Sequence, residues 1–332
     1  MRSYTLDEYR HRTKQGPRVA VIGAFDGVHR GHCRLISFAR QRAETMGADA
    51  EVVVLTFWPL PHAGLASHRH PRLLTTRTHK KGRLAELGVD ALITLAFDRS
   101  LANMCPAEFA GDVLARQLQI DRVCVGFNFT FGRMGSGRPD TLRRLGSQLG
   151  FGVDVLPPVT LEGHIVSSTL IRDMIQEGRV HSARRFLGRH YALEGCVVRG
   201  KGQGGRTLGF PTANMTVCDM VVLPESGVYV VQVTAPEAGV GAHLGVANVG
   251  GSPTFDPLCE DRTPPVETHL VGFSGDLYGA KMTVSFMRRL RGRRAYTSSE
   301  ELAAQIRADV GTISSLMAQR AAQVLREPMI CR

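Results

Sequence analysis

Three groups of residues in this chain have the types and spacing to do chemistry on phosphates. The first is Gly23-Ala24-Phe25-Asp26-Gly27-Val28-His29-Arg30-Gly31-His32. It follows the apolar run Arg18–Ile22, which reads as a strand. It precedes Cys33–Met46, where Leu35, Ile36, Phe38, Ala39 and Ala43 share one helical face. The junction of a strand end with a helix N-terminus offers backbone N–H groups and a helix dipole, both of which favour a phosphate. Gly27 and Gly31 allow close backbone approach, and His29 and His32 can donate hydrogen bonds to charge developing on an anion. An isolated H-x-x-H is more often a solvated helix entry. The ten-residue string is far more specific.

The second group is Val166-Ser167-Ser168-Thr169-Leu170-Ile171-Arg172. Ser167 or Ser168 can cap a helix whose buried face is Ile171, Met174 and Ile175, with Gly178 to end it. An ordinary capped helix explains the hydroxyls. Arg172 in the first turn beside them makes a second oxyanion cradle, suited to pyrophosphate. Two such cradles in one domain fit a triphosphate split between its α- and β-phosphorus, chemistry that depends on positioning and charge neutralisation.

The third group lies farther on. Gly200-Lys201-Gly202-Gln203-Gly204-Gly205-Arg206 precedes Gly209-Phe210-Pro211-Thr212-Ala213-Asn214. Gly195 to Lys201 imitates a Walker loop but has Gly202 where Ser or Thr is required, and its flanks are strands. A glycine-rich flap over a nucleotide remains open to it. Val266-Glu267-Thr268-His269-Leu270 then places a carboxylate within an apolar strand, either as a paired barrel residue or as a working base.

The elements that must position these residues change character along the chain. Strand-like runs Arg18–Ile22, Glu51–Phe57, Ala91–Phe97, Asp121–Phe127 and Val153–Leu156 alternate with helical patterns Cys33–Met46, Arg77–Leu87, Pro106–Gln119 and Pro139–Leu149. That alternation predicts an α/β N-terminal domain with a Rossmann-like parallel sheet and ligands at the strand C-terminal ends. His29/His32 and Asn128 both fall at such ends. After about residue 186, Tyr191–Val198, Val228–Thr234, His243–Val249, Val266–Phe273 and Lys281–Met287 follow one another with little helix between, which predicts an antiparallel sheet or small barrel. A long helix opening at the capping pattern Thr297-Ser298-Ser299-Glu300 closes the chain. The expected domains are 1–185 and 186–332.

At 332 residues the chain is long enough for two cores. No apolar run approaches the ~20 residues that span a bilayer, and the N-terminus has no signal-peptide core. The seven cysteines are scattered without a C-x-x-C, so buried reduced thiols in a cytoplasmic protein are expected instead of disulfides or a zinc site. A net charge of +11 is compatible with nucleic acid. The arginines are dispersed and aromatics are sparse, however, and small polyanionic substrates account for the charge equally well.

The first string resembles the phosphate-binding signature of nucleotidyltransferases. Asn128-Phe129-x-Phe131-Gly132, Ser167-Ser168-Thr169-x-Ile171-Arg172, Gly209–Asn214, Glu267-x-His269-Leu270 and Asp276-Leu277-Tyr278-Gly279 follow it in order. Together, from about Arg18 to Met317, they resemble the prokaryotic bifunctional riboflavin kinase/FAD synthetase (FMN adenylyltransferase) family. The resemblance implies riboflavin, FMN and ATP as substrates, Mg²⁺ as cofactor, FAD as final product, and a monomer or weak homo-oligomer without nucleic-acid or membrane partners.

It also implies roles. Glu267 takes the proton of the riboflavin 5′-hydroxyl, and Thr212 and Asn214 help hold Mg²⁺. Gly200, Gly205, Arg206, Gly209, Pro211, Asn248 and Arg291 line the kinase ligands. In the first domain, His29, His32 and Arg172 are catalytic. Gly23, Phe25, Asp26, Gly27, Asn128, Ser167, Ser168 and Thr169 hold nucleotide and flavin phosphates. The sequence departs from the family pattern at Ala24, where Asn is usual, and at Ile165, where a basic residue is common. The alternatives are retention of kinase activity alone, or a different nucleotidyltransferase with an accessory barrel.

Overall fold

The computed structural model describes residues 1–60, 72–199, 211–250 and 266–324, without the side chains of 299 and 313–324. Arg18–Ile22 shows why the first half forms a parallel sheet. Every position is buried, and the side chains divide by parity. Ala20 and Ile22 enter one core with Val53, Leu55 and Ile93, while Val19 and Val21 enter another with Val52, Val54 and Leu92. A strand buried on both faces must be covered by helices on both, which is the α/β arrangement.

The strands are β1 (Arg2–Thr5), β2 (Arg18–Ile22), β3 (Glu51–Trp58), β4 (Ala91–Ala96), β5 (Arg122–Gly126) and β6 (Gly152–Leu156). They form a six-stranded sheet in the order β1-β4-β3-β2-β5-β6, and every pairing is parallel. α1 (Leu6–Arg10), α2 (Arg30–Met46), α3 (Arg77–Glu86), α4 (Arg99–Asn103), α5 (Pro106–Glu108) and α6 (Pro139–Leu149) connect them. The helix expected over Pro106–Gln119 is helical only as far as Glu108 in the α form. Phe109–Gln117 continues it as a π-helix, in which the Leu118 N–H bonds Val113 O. β1 carries no apolar run, its four residues being mostly exposed.

A short hairpin, β7 (Thr160–Leu161) and β8 (His164–Ile165), then leads to α7 (Ser168–Gln176) and α8 (Val180–Leu187). Six antiparallel strands close into a barrel: β9 (Tyr191–Val198), β10 (Ala213–Val217), β11 (Gly227–Ala235), β12 (Val240–Val249), β13 (Val266–Leu270) and β14 (Lys281–Arg291). Their order around it is β10-β13-β12-β11-β14-β9. α9 (Ser299–Val324) follows, and its Val310 packs against the cluster of Val228, Val230 and Val246. Its cap differs from the expected one. Ser298 Oγ accepts from the Glu301 N–H at 3.2 Å, and Glu301 reaches back to the Thr297 N–H at 3.1 Å.

The chain divides into two compact units, Met1–Leu170 and Ile171–Arg332. α8 belongs with the barrel, where Phe186 and Leu187 are buried and the helix packs on β14. From Ile171 on, α7 groups with it too, and the Ile175 carbonyl accepts from the Glu225 N–H at 3.3 Å. The structural division thus precedes the functional boundary expected at 185/186. The five described cysteines are all free, but only Cys124 is buried, while Cys105 and Cys196 are exposed. Their short neighbouring apolar runs do not cover the thiols, so the expectation of generally buried cysteines fails there.

Candidate active sites

The histidine turn leaves the C-terminal end of β2. From β2 the chain moves outward through β3 and β4, then returns to the other side of β2 as β5. That reversal is a topological switch point, where open α/β sheets form their ligand crevice. Asn128, exposed just beyond β5, borders the same crevice because β5 pairs with β2.

The turn is held in an unusual backbone conformation. Phe25, Gly27 and Val28 have φ of 51°, 81° and 41°. Positive φ suits Gly27 but is strained for a β-branched valine, so the surroundings must enforce it. They do so through residues 74–75. Asp26, 2 % exposed, accepts at Oδ1 from the Leu74 and Thr75 N–H groups at 2.9 and 3.3 Å. Thr75 Oγ1 accepts from the Gly27 N–H at 3.2 Å. Asp26 therefore shapes the turn with its carboxylate, and Phe25 fills the space beneath it, fully buried.

His29 and His32 form a reciprocal cap on α2. His29 Nδ1 accepts from the His32 N–H at 3.4 Å, and His32 Nδ1 accepts from the His29 N–H at 3.3 Å. A neutral imidazole that accepts at Nδ1 carries its proton on Nε2. Both rings thus hold the tautomer that donates at Nε2, and they stack with centroids 3.6 Å apart. Gly31 is needed for this arrangement, since a Cβ there would lie 3.1 Å from the His29 ring. Sequence reasoning found both histidines but not the cap that orients them.

The serine motif adjoins this turn. Ser167 Oγ accepts from the Leu170 N–H at 3.2 Å and so caps α7. Ser168 Oγ donates to the Asp26 carbonyl at 2.8 Å, tying the start of α7 to the histidine turn. Thr169 is on the first helical turn, but Arg172 falls at the start of the second, half-buried. Ile165, in place of a basic residue, is 47 % exposed on β8.

In the barrel, strand register builds the second site. Glu267 on β13 lies directly opposite Asn214 on β10 and Asn248 on β12. One carboxylate therefore sits between two carboxamides on adjacent strands. Val266, Thr268 and Leu270 face the core, while Glu267 and His269 take the other, half-buried face. Burial pushes the Glu267 carboxyl above its ordinary value, and a hydrogen bond from Asn248 partly offsets that rise. His269 Nδ1 is 2.9 Å from the Pro211 carbonyl, which fixes the chain entering Thr212. Arg291 is gripped by Asp309 of α9, with Nη2 2.8 Å from Oδ2. Gly200, Gly205, Arg206 and Gly209 lie outside the described residues.

Comparison with known proteins matches both halves. The model of FAD synthetase matches residues 11–170, and that of riboflavin kinase matches residues 187–317. A Pseudomonas fluorescens protein named bifunctional riboflavin kinase/FMN adenylyltransferase is 36% identical over 303 residues, covering 91% of this chain and 94% of that one. A Bacillus subtilis protein of the same name is 32% identical over 301 residues, 90% of this chain and 92% of that one. The chain belongs to the bifunctional riboflavin kinase/FMN adenylyltransferase family.

A solved structure titled as a macrolide-efflux protein from Streptococcus pneumoniae shares the fold of this riboflavin kinase/FMN adenylyltransferase family member. It has a TM-score of 0.80 at 28% identity, covering 93% of this chain and 97% of that one. Among the described residues no helix is long and apolar enough to cross a membrane.

Proposed function

We propose that the two reactions of the family are divided between two sites in this chain, adenylyl transfer within 1–185 and riboflavin phosphorylation within 186–332. The chain phosphorylates riboflavin to FMN and adenylylates FMN to FAD, using ATP in each step. What carries the division is that each half presents its own phosphate chemistry on its own fold. One half has paired Nε2–H donors at a switch point; the other has a half-buried carboxylate between two carboxamides.

In the barrel, Glu267 accepts the 5′-hydroxyl proton as that oxygen attacks the γ-phosphorus and ADP departs. Its raised pKa makes it a stronger base than an exposed carboxylate. Thr212 and Asn214 bring hydroxyl and amide oxygens beside it, hard neutral donors that suit Mg²⁺ shared with phosphates. No described group of three or more His, Cys, Asp or Glu competes as a metal cage. When bound, Mg²⁺ neutralises phosphate oxygens. Pro211, Asn248 and Arg291 border this site, with Gly200, Gly205, Arg206 and Gly209 as its proposed nucleotide loop.

Within residues 1–185, a phosphate oxygen of FMN attacks the α-phosphorus of ATP and pyrophosphate leaves. His29 and His32 donate from Nε2 to the charge that builds on the α-phosphoryl group. Gly23, Phe25 and Gly27 supply the backbone of the cradle and Asp26 its shape. Asn128 positions phosphate, and Ser167, Ser168, Thr169 and Arg172 hold the pyrophosphate end. We place the protein in the cytoplasm as a monomer or weak homo-oligomer acting on small molecules, without nucleic-acid or membrane partners.

The direct test is incubation with riboflavin, ATP and Mg²⁺, resolving flavins by chromatography. FMN followed by FAD is expected. FMN alone would leave only the kinase half of the proposal standing, and no FMN would remove that half.

A pH experiment probes the carboxylate. Glu267 must be ionised to act, so kcat/KM for riboflavin falls as pH drops through its raised pKa. Asn248 stabilises the ionised form; Asn248→Ala removes that help and raises the pKa further. The acid limb should therefore move to higher pH, and an unmoved limb would show that Asn248 does not act on the base.

A further inference from the structure

We propose that Lys80 is a positioning residue for adenylyl transfer, fixing with Thr56 the Ala24–Phe25 peptide and hence the backbone donors of the histidine turn. The proposal rests on the assignment of adenylyl transfer to that turn. Lys80 lies on α3 and is only 6 % exposed. Its Nζ donates to the Ala24 carbonyl at 3.0 Å. Thr56 Oγ1, from β3 and itself buried, donates to the same oxygen at 3.2 Å. Two donors from two elements thus hold one carbonyl at the point where the chain enters its strained conformation.

The consequence follows from peptide geometry. In a trans peptide the C=O and the following N–H point in opposite directions. Drawing the Ala24 oxygen toward Lys80 and Thr56 turns the Phe25 N–H away from them, and no described group accepts a hydrogen bond from it. A backbone donor held this way at a phosphate turn is preorganised for an anion. Ala24 has no side chain with which to anchor this peptide, so its orientation depends on Lys80 and Thr56.

The charge of Lys80 matters as well as its hydrogen bond. An ammonium is costly to bury unless paired. The charged groups facing it are Asp26 from the turn and Arg77 from its own helix; β3 contributes the neutral Thr56. Burial lowers the Lys80 pKa to about 8, with Asp26 opposing the drop and Arg77 adding to it. Above that pH the ammonium loses a proton and its attraction to Asp26, and the clasp on the turn weakens. Adenylylation then loses rate on its alkaline side.

The test uses the full chain with supplied FMN, ATP and Mg²⁺, measuring kcat and KM from about pH 6 to about pH 9.5. Lys80→Met should lower kcat by roughly 10-fold or more with a smaller change in KM for ATP, and should abolish the alkaline limb. Thr56→Val removes one hydrogen bond without touching the charge, and should lower kcat by about 3-fold while keeping that limb. Riboflavin phosphorylation should be unchanged in both. Lys80→Met with wild-type kcat and an unaltered limb would overturn the proposal. If Lys80→Met does not fold, Thr56→Val decides, and wild-type kcat there overturns it. A chain that makes no FAD, or makes it at full rate with His29→Ala, defeats the assignment of the turn and this proposal with it.

Discussion

Glu267→Gln is expected to cut riboflavin phosphorylation by roughly 10²–10⁴-fold, the usual worth of a positioned general base. The substitution keeps side-chain volume, and the remaining carbonyl oxygen can still accept from Asn248. The row of Asn214, residue 267 and Asn248 across three strands is therefore preserved. What is lost is the ability to take a proton. FAD formation from supplied FMN should stay near wild type, because a phosphate anion needs no base before it attacks. Initial rates of the two half-reactions, with thermal melts alongside, check both statements. A parallel fall in both rates with a lowered melting temperature would mean that Glu267 supports the fold instead.

His29→Ala should do the reverse, lowering FAD formation by about 10²-fold or more, near 2.7 kcal/mol of transition-state stabilisation. The effect should appear mainly in kcat, since the Nε2–H bond strengthens only as charge builds at the α-phosphorus. The structure adds a complication and its solution. His29 also caps α2, so alanine costs about 1 kcal/mol of stability besides. His29→Asn separates the two effects. Asparagine is a good cap but lacks the reach and the Nε2–H, so the melting temperature should recover while the rate does not. Recovery of both would assign His29 to helix capping alone.

How far these features could be read from the chain depends on how strongly local pattern constrains them. The central strands were legible because Arg18–Ile22 and its neighbours are buried on both faces and read as apolar runs. β1 was not, since Arg2–Thr5 is a largely exposed edge strand whose polar residues carry no such pattern. β10 carries little strand signal because Ala213–Val217 overlaps the Pro-Thr-Ala-Asn motif, whose residue types are not those of an apolar run.

The same division holds at the sites. Glu267 stood out as a carboxylate in an apolar setting, but its flanking amides could be recognised only from strand register. Lys80 was invisible in the polar run Arg77-Thr78-His79-Lys80-Lys81, where nothing distinguishes a buried lysine from a solvated one. The tertiary approach of α3 to residue 24 makes that distinction, and no local periodicity encodes it.

The closure of the barrel also sets an order on how the protein is made. Its first strand, β9, is hydrogen-bonded to its last, β14, with Tyr191 opposite Phe286. Until the ribosome has produced β14, β9 has one unpaired edge, and the sheet cannot seal. No comparable delay holds the first unit, whose six-stranded sheet is translated earlier. Domains tend to fold as units from the N-terminus during synthesis, and long-range strand pairing is slow and leaves edges exposed. The half matched by the FAD synthetase model is therefore available to fold before the half matched by the riboflavin kinase model has been completed.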